Sequence, residues 1–107
     1  MMQDRAEHYL TWVDREIDRL RALDAEGGMA TLAVDDRMAT RLEWDDVVDR
    51  YLAVVAAHDD RQLSPSQASR LFDVTMHLAA LVPVLERLRL RRPDPEILAR
   101  VRLTAAS

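Results

Sequence analysis

The chain contains no cysteine, no lysine and no asparagine in its 107 residues. Without cysteine there are no disulfides, thiolate zinc sites, iron–sulfur clusters or cysteine nucleophiles, and a cytoplasmic location is the expectation. Without lysine every side-chain cation other than a protonated histidine is an arginine, which reads as the habit of a GC-rich bacterial coding sequence rather than as a binding signal. Two glycines and four prolines are too few for an all-β chain, which must turn repeatedly. Met1 to Leu10 include Asp4, Arg5, Glu7 and His8, so no apolar leader is expected. The longest apolar run, Leu78 to Leu85, falls short of a bilayer span, and no membrane association is expected.

What is present suits one small folded domain. Apolar residues make up 49% and charged residues 32%, a mixture that supports a core and a wet surface. Charge is unevenly distributed. Residues 1–63 hold fifteen acids against eight arginines, and residues 64–107 hold four acids against seven arginines, so −7 is followed by +3. Global attraction to nucleic acid is therefore absent, while a local basic end remains.

Periodicity predicts an all-α protein: a compact bundle of three long helices plus one or two short ones, in a single domain over 1–107. Ala6, Leu10, Val13, Ile17 and Leu20 step by four, three, four and three, which places an amphipathic helix over about Asp4 to Ala25. Gly27 and Gly28 stop it. Residues 29–42 read two ways. Thr31–Val34 and Arg37–Leu42 flank Asp35-Asp36 as in a short hairpin, whereas the abundance of Ala and Met favours helix, which is the reading adopted. Trp44, Val47, Val48, Tyr51, Leu52 and Val55 form the apolar face of a helix over about Glu43 to His58. Met38 and Leu42 are out of phase with that face, which predicts a break near Leu42.

Ser64, Pro65 and Gln67 spell an N-cap, a first-turn proline and a capping box. The helix they start is expected to run to about Arg91, with Leu71, Val74, Leu78, Leu81, Leu85 and Leu88 as an unbroken seam. Pro83 lies off the seam and is expected to kink or divide the helix. Pro93-Asp94-Pro95 ends it and starts a short helix through Ile97, Leu98 and Val101, with a frayed tail over 104–107.

The seam leaves Phe72, Met76, Ala79, Ala80, Pro83, Val84 and Leu90 unexplained, and residues 78–85 carry no polar side chain at all. A helix apolar all round should be covered all round. The expectation drawn from this is a non-enzymatic protein–protein interaction or assembly module. It is a homodimer through the 64–91 helix, or a complex with another protein, anchored by Phe72, Met76, Leu81, Val84 and Leu88. An alternative places nucleic acid at a basic end made of Arg87, Arg89, Arg91 and Arg92.

A second alternative is a small metal-dependent hydrolase. Asp45-Asp46-Val47-Val48-Asp49 spells the DDxxD string with which isoprenoid synthases hold magnesium and diphosphate. The apolar face of that helix points the other way, however, and acids in a first helical turn are favoured by the helix dipole alone. His58-Asp59 resembles the helix-ending pair of metal-dependent phosphohydrolases, but further ligands are missing, and a histidine near a helix C-terminus is also favoured by the dipole. His77, flanked by Met76 and Leu78, reads as a hydrogen-bonded core or interface residue, and Trp12 and Trp44 read as core. No glycine-rich phosphate loop, HExxH string or Ser–His–Asp arrangement is found. Neither a cofactor nor a metal is expected.

Overall fold

The computed structural model describes residues 2–105. Four α-helices connected by short segments account for nearly all of them: α1 (Met2–Ala25), α2 (Val34–Asp59), α3 (Pro65–Leu88) and α4 (Pro95–Ala105), with one 3-10 turn at Gly28–Thr31. No strand occurs among the described residues. The all-α bundle expected from periodicity is the fold.

The stripe of α1 is buried as its spacing requires, with Ala6, Leu10, Val13, Ile17 and Leu20 closed off from solvent. Glu16 is buried beside that stripe and bonded by Arg19, whose guanidinium also reaches Glu43 on α2 at 2.8 Å. Gly27 and Gly28 adopt φ of 121° and 80° and turn the chain through the 3-10 segment. A Cβ at Gly27 would come within 2.9 Å of the Thr31 side chain, so that corner requires glycine on two counts.

The hairpin alternative for 29–42 gives way to helix. Asp35 and Asp36 lie in the first turn of α2, where their charge meets the positive end of the helix dipole. The break expected near Leu42 does not occur, since α2 runs unbroken from Val34 to Asp59. Met38 and Leu42 are out of phase because they point away from the core, at 60% and 63% exposure.

At the start of α3 the capping box forms as read: Ser64 Oγ accepts from the Gln67 N–H, and Gln67 Oε1 accepts from the Ser64 N–H. Pro83 neither divides α3 nor ends it. It sits on the exposed side, where the Ala79 carbonyl it leaves without a helical partner can meet water. The helix stops at Leu88 rather than Arg91 because Arg89 turns left-handed (φ 56°), and the Leu90 N–H then bonds back to the Leu85 carbonyl. Asp94 caps α4 by accepting from the Glu96 N–H. The tail is more ordered than expected through Ala105, which ends α4 and is buried. Ala106 and Ser107 lie outside the described residues.

Side-chain bonds give the register. Gln67 donates to the Gln3 carbonyl, His77 bonds Asp14, and Arg87 bonds Asp24. The separation between partners stays at 63 or 64 residues, so α1 and α3 run parallel. Helix α2 runs against both, with Arg19 on Glu43 and Arg50 over the Tyr9 ring. Helix α4 returns along α3 and reaches the far end of α2 through Arg100 on Asp59 and His58 on Thr104. The interior holds Trp44, Val47, Val48, Tyr51 and Val54 of α2 against the α1 stripe and the α3 seam. Burial of this apolar surface is the main favourable term.

Two polar contacts organise that interior. Thr75 spends its only hydroxyl proton on the Leu71 carbonyl (2.7 Å), so the buried Tyr51 hydroxyl is the donor to Thr75 Oγ1, also at 2.7 Å. Trp44 donates its indole N–H to the Arg91 carbonyl at 2.8 Å, which pins the α3–α4 connection onto α2.

Candidate interaction surface

Folding sorts the apolar circumference of α3 into three parts. Leu71, Val74, Leu78, Leu81, Leu85 and Leu88 go into the core. Phe72, Ala79 and Val84 are half-buried and pack against its edge. Met76, Ala80 and Pro83 face solvent alongside Asp73, His77 and Arg87. Leu81 and Leu88, expected as partner anchors, are 0% and 2% exposed and have no surface to offer. Of the five anchors, Met76 keeps a fully outward position at 42%, and Phe72 and Val84 keep part of their surface. Leu90 also turns inward. By length and composition α3 is apolar enough to cross a membrane, more so than its eight-residue run implied. The seam and its half-buried neighbours account for that apolarity within the bundle.

The basic end is occupied by the chain's own acids. Arg87 forks onto Asp24 (2.7 Å), Arg91 meets Asp49 (2.8 Å) and Arg92 meets Glu86 (2.9 Å). Arg89 makes no ion pair among the described residues and instead forms the left-handed cap. The Arg87 guanidinium holds the Asp24 carboxyl below its usual 3.8. Beyond that end, Arg70 pairs with Asp14 and Arg100 with Asp59. The acidic and basic parts of the sequence thus neutralise one another across the helix interfaces. Each such exposed pair is worth little in stability, and the paired Arg87, Arg91 and Arg92 stay 59%, 41% and 58% exposed.

Among the described residues no group of three or more His, Asp or Glu side chains could hold a metal ion. Asp45, Asp46 and Asp49 point outward as their helical phase required, and Asp49 is held by Arg91. His58 bonds Thr104 and Asp59 bonds Arg100, so that pair ties α2 to α4. His77 is exposed rather than in the core, and bonds Asp14 through Nδ1 at 2.9 Å. Trp44 is core, as expected. Trp12 is half-buried and lines a surface cavity.

The largest exposed apolar feature lies elsewhere. Val34, Met38 and Leu42 follow one another at successive turns of α2, exposed by 68%, 60% and 63%. Over the ten residues from Val34 to Glu43 only Thr40 is buried. This part of α2 rests on the end of α1, with Arg19 on Glu43 and Arg37 bonded to the Leu32 carbonyl. Asp49 lies two turns beyond Leu42 on the same face, 58% exposed and paired with Arg91. The stripe lies on a side of α2 that stays exposed past Leu42, at Asp45, Asp46 and Asp49. Its signal was already in the sequence, as the phase mismatch of Met38 and Leu42. A kink and an outward-facing apolar line produce the same mismatch.

Comparison of the chain with protein families, with curated proteins and with solved structures finds no match.

Proposed function

We propose that the protein is a non-enzymatic assembly module that pairs with a second copy of itself, with the Val34–Met38–Leu42 stripe as the principal contact. The supporting observation is the stripe itself: three large apolar side chains in line on a helix whose opposite face is already satisfied. Together they expose on the order of 300 Å², the size at which surface patches begin to mark contact sites.

Charge around the stripe favours a copy of the same chain over a partner of one sign. Arg37 and Arg41 lie on one flank, Asp35 and Asp46 on the other. When two such helices face each other and run the same way, each arginine flank lies over the other's aspartate flank. The outward strip of α3 around Met76, with Phe72 and Val84 beside it, is the smaller rival surface.

Sedimentation equilibrium between about 10 and 500 µM tests the proposal, a range set by the weak affinity expected of a small interface. The mass should rise above the 12.3 kDa of one chain. Leu42→Asp should hold it at the monomer and Met76→Asp should leave it unchanged. A strict monomer throughout overturns the proposal. Loss of pairing in Met76→Asp but not in Leu42→Asp moves the contact to α3. Val84→Asp is a poorer probe, because Val84 also packs on the core.

A further inference from the structure

An open cavity of about 430 Å³ lies where α1 crosses α2, lined by His8, Tyr9, Thr11, Trp12 and Arg15 of α1 and by Arg50 of α2. Its composition departs from the surroundings. The first 63 residues carry a net −7, yet no carboxylate lines this cavity. Six of the fifteen arginines are paired with acids, and Arg15 and Arg50 are among those that form no ion pair among the described residues. Arg50 is held in place by the Tyr9 ring instead, 5.4 Å from its centroid.

Trp12 is partly buried, packed against the core beside the fully closed stripe of α1, and lines the cavity. His8, Thr11, Trp12 and Arg15 recur at helical spacing along about 10 Å of α1. That length accommodates a base, a ribose and a phosphate laid end to end. Arginine forks match phosphate oxygens bidentately, and an indole face is a stacking platform for a planar ring.

We propose that this cavity binds a nucleoside phosphate, the ring stacked on Trp12 and the phosphate held by Arg15 and Arg50. The site does not involve Val34, Met38 or Leu42 and stands whether or not the chain self-associates.

The test is a titration of the isotopically labelled protein followed by its two indole N–H resonances. Trp44 serves as the internal control, being buried and bonded to the Arg91 carbonyl. AMP should shift the Trp12 resonance saturably and leave that of Trp44 in place, with UMP weaker because its ring is smaller. Adenosine and inorganic phosphate should each bind at least tenfold more weakly than AMP. The double variant Arg15→Gln/Arg50→Gln should lose at least tenfold in AMP affinity with an unchanged melting temperature, since both side chains are exposed. No saturable shift by AMP up to about 10 mM overturns the site. Adenosine equal to AMP overturns the phosphate arm, phosphate equal to AMP overturns the aromatic arm, and an unaffected double variant overturns the assignment to these arginines.

Discussion

The two parts of α2 behave as though they belonged to different proteins. From Trp44 to Asp59 the helix is wrapped, with Trp44, Val47, Val48, Tyr51, Val54, Val55 and Ala57 buried and Asp49, His58 and Asp59 tied to the segment after α3. From Val34 to Glu43 the same helix buries only Thr40 and turns three large apolar side chains outward. Backbone geometry does not distinguish the two stretches, since one unbroken helix carries both. The difference lies in which neighbours reach it. Exposed apolar residues are therefore informative where they fall in line along a helix that already has a satisfied face.

The contrast can be broken most strongly by exchanging charge for apolar surface in each part. Val48→Asp places an unpaired carboxylate where the side chain is 1% exposed, and should cost about 4 kcal/mol or more in urea denaturation. Leu42→Asp, at 63% exposure, should change the monomer's stability by no more than about 0.5 kcal/mol. Comparable losses in both would show that the first turns of α2 are packed after all. Trp44→Phe, at the border between the parts, removes the bond to the Arg91 carbonyl and leaves a void. It should cost about 2–3 kcal/mol and loosen the α3–α4 connection, read as faster amide exchange over residues 89–94.

A pH titration sharpens the contrast from inside the wrapped part. Burial pushes the Tyr51 hydroxyl up to about 12 from its usual 10. The folded state keeps that proton where the unfolded chain has lost it. This contribution is complete below pH 10 and falls as pH rises from 10 toward 12, by about 1.4 kcal/mol per unit at most. Tyr51→Phe should flatten that slope in stability measured against pH, and an unchanged slope would contradict the assignment. A gain rather than a loss is expected at the end of α2, where Arg61 occupies the left-handed position of the terminating turn at φ 58°. Arg61→Gly should raise stability by about 0.5–1 kcal/mol, seen as a higher urea midpoint.

Much of the bundle was legible before any coordinates. The α1 stripe, the α3 seam, the Ser64–Gln67 capping box and the restart at Pro95 all follow from local rules, and all are found. The misreadings share one cause. Met38 and Leu42 read as a break, and Leu81 and Leu88 as partner anchors, because periodicity reports which residues share a face without reporting what lies opposite that face. Trp12, read as core, is only partly buried for the same reason. The cavity around Trp12 was not legible at all, because Arg50 joins it from a helix more than thirty residues away.

The one-dimensional pattern determined by itself that this chain is helical, where three of its four helices begin, and which residues form the central seam, since each of these rests on interactions spanning a turn or two. Only the tertiary structure decided which of the remaining apolar side chains stay in water, and that the acidic first part and basic last part of the chain neutralise each other from Asp14–Arg70 to Asp59–Arg100. The physical reason is range. Burial and ion pairing depend on neighbours from distant parts of the chain, and those neighbours exist only once the helices have packed.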